Sequence, residues 1–433
     1  ADEILLQKGG SIAPLGLRQR YLYLADALER MGLKADFVQI SSYKSAADTL
    51  TRNRMSDEVR EMASWLMDSV YGEFLHGVAE GRRLDERAVK AIVDSSPHID
   101  LRALEVRAVD KLVSEEDLPA HLGSTGKPAR LSPWEDAHKR LLRRPITRPG
   151  RYVALLRIEG DIVDGRSSRP PWKLPFRIPL FLNERSGDLT VVQEARRVLR
   201  DKRAAAVVVY VDSGGGSATA SEAMAAALEK VAAVKPLVVV MGSVAGSGGY
   251  YVSTPARWIV AQPSTITGSI GVLNGKIVSA SLLDKLLFHW ELISRGEHAA
   301  FEDTGKPFSE EERKIVWEGI QRVYDVFLDR VTANRKMSRE AVDAIGGGRV
   351  WTGRQALERG LVDELGGVDR ALAKARELAR LHERAPLREV RLGKQPLAPK
   401  TESAAVLQYA LEGLDMFHGA KALCLCPLIW QNI

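Results

Sequence analysis

Apolar residues between positions 150 and 300 come in short, dense runs separated by segments of helical period. RYVALLRI (151–158), AAVVVYV (205–211) and PLVVVM (236–241) have the length and β-branched content of strands. Their unbroken apolar character predicts burial on both faces. Residues 219–234 repeat apolar positions at helical spacing, which predicts an amphipathic helix between the second and third strands. Trp258 to Ala261 reads as a further strand, followed by a helix around 279–286, a short strand near 290–294 and a long helix from about Ser309 to Arg335. Such alternation implies a mainly parallel sheet flanked by helices, an α/β class. Segment 164–188, rich in Pro and Arg, reads as a surface loop. Beyond about Leu381 the chain reads as a tail with one helix over 405–416.

The same polar and apolar pattern occurs twice. Residues 41–112 align with 294–365 at a constant offset of 253 without a gap. Val70-Tyr71 and Phe74 fall on Val323-Tyr324 and Phe327, and Val109-Asp110-Lys111-Leu112 falls on Val362-Asp363-Glu364-Leu365. Register kept over so long a stretch indicates an internal duplication. Copy two begins near Arg151, so copy one is expected to begin about a hundred residues before Ala1, and the chain to open inside a domain. The expected organisation is 1–115 as the C-terminal part of a first domain, 116–150 as a linker, 151–380 as a second domain and 381–433 as a C-terminal tail.

Composition narrows the function classes. At 45% hydrophobic and 27% charged over 433 residues, the chain has enough apolar content for two or three cored domains. A formal charge of +6 is modest, and the basic residues interleave with acids as on solvated helix faces. A basic run from Lys139 to Arg151 lies in the proline-punctuated linker. No aromatic-interleaved basic groove points to nucleic acid. No stretch of 18 or more apolar residues is present, so any membrane anchor is expected upstream of Ala1. The two cysteines, Cys424 and Cys426, are poorly spaced for a bridge within one extended segment. The eight histidines include no His-Glu-x-x-His pattern, and no metal or cofactor is expected.

Two glycine-rich segments follow the two buried strands and read as turns. Asp212-Ser213-Gly214-Gly215-Gly216-Ser217 opens the helix at 219, where glycines let backbone amides face a developing oxyanion or a phosphate. Gly246-Ser247-Gly248-Gly249-Tyr250-Tyr251 places one serine among small residues at the next helix start. Each alone reads equally as a close-packed turn or an N-cap. Their order on adjacent strands matches the ClpP/crotonase superfold. Together with Ser264-Thr265-Ile266-Thr267-Gly268-Ser269-Ile270-Gly271-Val272 and Tyr43-Lys44-Ser45-Ala46, they closely resemble the double-domain signal peptide peptidase A family of serine peptidases.

That resemblance covers residues 1 to about 380. It implies two tandem ClpP/crotonase-like domains, the first incomplete at its N-terminus, and a catalytic set in which Ser247 is the nucleophile and Lys44 the general base. Ser269 would orient the lysine, and the amides of Gly216 and Gly248 would form the oxyanion hole. It further implies cleaved signal peptides as substrates, a homo-oligomer with a tetramer suspected, and a bacterial inner-membrane location facing the periplasm, anchored by a region absent from this chain. The chain departs from the family pattern at Gly214, where proline is usual, and at Asp212, where asparagine is usual. Both departures are expected to loosen the oxyanion loop while leaving its amides in place.

A lysine can take a proton from serine only when neutral, so its pKa must fall from about 10.4 by burial. The residues from Val38 to Ala47 other than Lys44 are uncharged, and Asp48 is the first carboxylate after it. At the matching place copy two carries Glu297. Three alternatives stay open at this stage: a histidine base, with His289 and His298 as candidates, a crotonase-like acyl-CoA enzyme, and an inactive peptide-binding scaffold.

Overall fold

The structure, a computed structural model, describes residues 2–141, 150–170, 183–391 and 422–426. It is a mixed α/β chain that divides into two compact units, Ala1–Arg18 with Met67–Pro149, and Gln19–Leu66 with Gly150–Ile433. The division crosses the boundary expected at 115. Residues 19–66 belong with the second half because strand Lys34–Gln39 is hydrogen-bonded along its length to strand Leu273–Val278.

The smaller unit pairs strand Leu5–Leu6 with Lys111–Leu112 in parallel and Ser11–Ile12 with His98–Ile99 antiparallel. Its apolar centre is Ala79, Val89 and Val93, with Leu15, Tyr71 and Phe74 packed against them.

Among the described residues the larger unit holds one twelve-stranded sheet. In chain order its strands are β1 (Lys34–Gln39), β2 (Tyr152–Val163), β3 (Arg185–Gly187), β4 (Ala204–Ser217), β5 (Leu237–Gly246), β6 (Trp258–Ala261), β7 (Ile266–Gly268), β8 (Leu273–Val278), β9 (Val350–Thr352), β10 (Glu364–Leu365), β11 (Leu387–Glu389) and β12 (Leu423–Leu425). The centre is parallel, with β2 beside β4, β4 beside β5 and β5 beside β6. Both faces of that centre are covered, which explains the unbroken apolar runs. Leu156, Val209 and Val239 face Ala195 and Val198 of helix α1 (Asp188–Arg200) and Met224 and Leu228 of helix α2 (Ala218–Ala232). Val153, Val208, Val238 and Val260 face Ala371 and Ala375 of helix Val368–Leu378.

Several elements differ from expectation. β4 runs to Ser217, so the first glycine segment is strand rather than turn. Pairing to Asp161 and Ile162 of β2 holds Gly215 and Gly216 in the ladder despite their positive φ of 102° and 154°. The expected 290–294 strand is absent, and Leu287, Trp290 and Ile293 are exposed there. Within the expected loop 164–188, β3 is buried and pairs with β2. The expected tail contributes two strands, β11 beside β2 and β12 beside β4. The helix read at 405–416 lies outside the described residues.

The 253-residue offset reappears in the elements. Helices Asp57–Arg82 and Glu310–Arg335 share it at both ends, as do helices Asp100–Glu105 and Gly353–Glu358 and strands Lys111–Leu112 and Glu364–Leu365. Within each set the last strand pairs in parallel with an earlier one, Leu5–Leu6 or Trp258–Ala261.

Candidate active site

β4 and β5 run side by side until Ser213 pairs with Ala245, and there they part. The candidate groups sit in the gap. β5 ends at Gly246, and Ser247 caps the short helix α3 (Gly248–Ser253) with φ of 53°, a left-handed conformation unusual for a residue with a side chain. Two bonds hold it there: its N–H donates to Gly268 O at 2.8 Å, and its carbonyl accepts from Tyr251 N at 2.8 Å. Ser269, just after β7, has a similar φ of 52° and donates its N–H to Arg349 O at 2.6 Å. Both hydroxyls are thereby carried on backbone conformations that the surrounding bonds impose.

Lys44 enters the gap from the loop after β1. It is fully buried, and its Nζ lies 2.6 Å from Ser247 Oγ, 3.0 Å from Ser269 Oγ and 2.9 Å from Ser269 O. The Ser247 hydroxyl has one further acceptor, Gly271 O at 3.5 Å. Burial pushes the Lys44 pKa down to about 8, opposed only by the thiols of Cys424 and Cys426. Among the described residues no carboxylate contributes. His289 and His298 are exposed, and neither is among the hydrogen-bond partners of Ser247.

The lysine loop is fastened by residues that sequence reasoning left out. Ser41 Oγ donates to Gly347 O, the Arg349 guanidinium lies 4.0 Å from the centre of the Tyr43 ring, and Trp65 stacks between Tyr43 and Trp351 while donating to Val350 O at 2.8 Å. Glycine is required where the lysine passes. A methyl group on Gly348, at φ of 90°, would lie 2.5 Å from Lys44 Cα, and one on Gly271 would lie 3.2 Å from Lys44 Cδ. The signal available in the sequence was the run Gly346-Gly347-Gly348-Arg349-Val350-Trp351.

Gly216 and Gly248 come together across the same gap. A methyl on Gly248 would lie 2.7 Å from Ser221 Oγ, 3.0 Å from Gly215 Cα and 3.3 Å from Gly216 N, so the two glycine backbones are in contact. The segment leading to Gly216 is held by side-chain hydrogen bonds. Asp212 Oδ1 accepts from Val244 N at 3.0 Å, and Ser213 Oγ accepts from Gly215 N at 3.1 Å while donating to Gly160 O at 2.6 Å.

β12 lies in the opening left between β4 and β8, antiparallel to both. Its side chains are buried: Leu423 and Leu425 pack with Phe37, Ala46 and Leu273, and Cys426, next along the chain, packs with Met62, Leu66 and Val350. The Cys424 thiol is within hydrogen-bonding reach of Ser247, and burial pushes its pKa up to about 11.

Residues 1–125 and 229–382 match the sequence model of Peptidase family S49, and the chain belongs to that family. It is 31% identical to Serine protease SPPA, chloroplastic, of Arabidopsis thaliana over 84% of this chain and 54% of that protein. It is also 31% identical to Protease 4 of Haemophilus influenzae, over 87% of this chain and 62% of that protein. To Protease 4 of Salmonella typhi it is 32% identical, over 88% of this chain and 61% of that protein. The chain thus spans between half and two thirds of the length of these relatives.

Proposed function

We propose that the chain is a serine endopeptidase working through a Ser247–Lys44 dyad. The observation that carries this reading is the 2.6 Å contact between a buried lysine nitrogen and a serine hydroxyl, with no carboxylate to hold the lysine charged. In the neutral amine the hydrogen bond reverses, and the Ser247 O–H donates to the Nζ lone pair. Ser247 Oγ then attacks a peptide carbonyl as its proton passes to Lys44. The amides of Gly216 and Gly248 take the oxyanion. Lys44 returns the proton to the departing amine, and a water activated by the same lysine hydrolyses the ester. Ser269 supplies two acceptors that aim Nζ at Ser247.

The apolar lining of the gap supports extended apolar peptides as substrates, and the resemblance narrows these to cleaved signal peptides. The shared offset of element boundaries supports two copies of a ClpP/crotonase-like module, one supplying Lys44 and the other Ser247. Membrane association and a homo-oligomer belong to the same proposal. Among the described residues no helix is long and apolar enough to cross a membrane.

Labelling with a fluorophosphonate probe followed by peptide mapping tests the reading. The label is expected on Ser247. An unlabelled chain favours the acyl-CoA enzyme or the inactive scaffold, and a label on another serine removes Ser247 from the mechanism.

A further inference from the structure

Gly348 and Arg349, the two residues before β9, lie between the proposed base and the hydroxyl that aims it. On one side they continue the antiparallel pairing of β7 with β9: Ser269 N donates to Arg349 O at 2.6 Å, and Gly348 N donates to Ile270 O at 2.7 Å. On the other side they meet the lysine loop. A methyl on Gly348 would lie 2.5 Å from Lys44 Cα, and the Arg349 guanidinium lies 4.0 Å from the ring centre of Tyr43, the residue before the lysine. Both stacked groups are tied down. The Tyr43 hydroxyl donates to Glu61 Oε2 at 2.5 Å, its ring stacks on Trp65, and Arg349 Nη1 donates to Gly346 O at 3.2 Å. One residue thus holds Ser269 through its main chain and the lysine loop through its side chain.

The other copy of the repeat shows what the module needs without that arrangement. Strand Ser11–Ile12 pairs with Ile99 and His98 as Ile266 and Thr267 pair with Thr352 and Trp351. This register puts Pro14 at the place of Ser269 and Ser96 at the place of Arg349. Ser96 Oγ donates to Val93 O at 2.7 Å and accepts from Leu15 N at 2.8 Å, both within its own unit. The strand pairing forms in both copies, so it does not depend on a guanidinium at this position. Arginine stands only in the copy whose neighbouring strand leads to an orienting serine.

We infer that Arg349 is a positioning residue of the proposed dyad, its carbonyl holding Ser269 and its guanidinium holding the lysine loop through Tyr43, so that Lys44 Nζ is kept on Ser247. It acts through Tyr43 and Ser269. The planar guanidinium suits this use because it stacks on the ring with little loss of side-chain freedom. Without the stack the loop keeps the Ser41 bond to Gly347 O but loses its lateral restraint. A four-carbon lysine stem on a loosened loop aims less well, and water that reaches Nζ favours the ammonium form. Among the described residues the titratable groups acting on Lys44 are the Cys424 and Cys426 thiols, while Arg349 faces Tyr43 and Tyr324, with Glu61 beyond the Tyr43 hydroxyl.

The inference rests on the peptidase reading, and its test is the rate at which a fluorophosphonate acylates Ser247 in the full chain, per folded molecule, from pH 6 to 10. Arg349→Ala and Tyr43→Ala break the stack from opposite sides. Each is expected to slow acylation roughly 10- to 100-fold and to move the midpoint of the pH profile upward from about 8. The double variant is expected to be no slower than either alone, because both changes remove one contact. Arg349→Lys returns a cation to the ring face and is expected to recover part of the rate and of the midpoint. Tyr43→Ala leaves the charge at 349 in place, so a midpoint that moves only in Arg349→Ala assigns the effect to charge and overturns the positioning role. A slower rate with an unmoved midpoint, or losses that add in the double variant, overturns it too. Circular dichroism establishes that each variant is folded, and should Arg349→Ala fail to fold, Tyr43→Ala carries the test. A labelled wild type matched in rate and midpoint by both alanine variants overturns the positioning role alone. A wild-type chain that takes no label on Ser247 overturns the peptidase reading and this inference with it.

Discussion

Lys44 and Lys235 are both buried lysines of the larger unit, and burial lowers the pKa of each. Their surroundings put them to different uses. Lys235 Nζ donates to two backbone carbonyls, Val198 O at 2.6 Å and Asp201 O at 2.7 Å, near the C-terminal end of helix α1. It caps carbonyls the helix cannot satisfy itself, and the Asp201 charge favours its ammonium form. Lys44 instead faces two hydroxyls and a single carbonyl, Ser269 O, and no carboxylate among the described residues acts on it. A buried lysine becomes a base only where a neighbour can give up a proton and nothing fixes the charge. Where carbonyls and a nearby carboxylate favour the charged form, as at Lys235, it serves as a structural cation.

The largest effects should come from breaking the Lys44 arrangement. Ser247→Ala is expected to lower peptide hydrolysis by about 10⁴-fold or more, and Lys44→Met to do nearly the same, because members of such a unit fail together. Additive losses in the double variant would show that the two residues do not act as one. Ser269→Ala removes one of two contacts that aim the lysine and should cost roughly 10- to 100-fold in kcat/KM while probe labelling persists. Unchanged kinetics would take Ser269 out of the site.

Stability sharpens the contrast further. The folded pKa of Lys44, about 8, lies below the unfolded value of about 10.4. Below pH 8 both states hold the proton, and the folded chain carries the full cost of a buried ammonium. Between the two values the folded state releases its proton first, so this residue's contribution to stability rises with pH. Lys44→Met should therefore stabilise the fold at neutral pH by at most about 3 kcal/mol, with the gain fading by about pH 10.5. Thermal melts across pH 6.5 to 10.5 check the sign. Lys235→Met should act oppositely, destabilising by roughly 1–3 kcal/mol because two buried carbonyls lose their donor. Its rate of probe labelling per folded molecule should stay at the wild-type level, and a loss there would mean Lys235 also serves the site.

How much of this was legible in the sequence depends on how local each signal was. Ser247, Ser269 and the glycines around Gly216 and Gly248 sit in short motifs, each of which alone reads equally as a close-packed turn, and their expected roles came from the resemblance that the motifs carry together. Lys44 became legible through the repeat, which picked out its loop from a distance. The grip on that loop by Gly347, Arg349, Val350 and Trp351 left only the glycine run before Arg349 as a signal, because stacking and carbonyl bonds between segments some 300 positions apart leave no periodic trace. The glycines of β4 read as a turn by intrinsic preference, but pairing on β2 keeps them extended. The five-residue segment Ala422–Cys426 is too short and too plainly apolar to announce a partner. Its place is decided entirely by the gap that β4 and β8 leave open.

The arrangement around Lys44 also bears on excision of the second copy. A fragment beginning near residue 150 loses β1 from the edge of β8 as well as the lysine, so its inactivity alone would not isolate the base. The most direct test is the rate at which a fluorophosphonate acylates Ser247, measured from pH 6 to 10 in the full chain and in Lys44→Met. The account predicts a wild-type rate that climbs through a midpoint near pH 8 and a variant rate that is slow and flat. A Lys44→Met chain that is acylated as fast as wild type, with the same pH dependence, would contradict it.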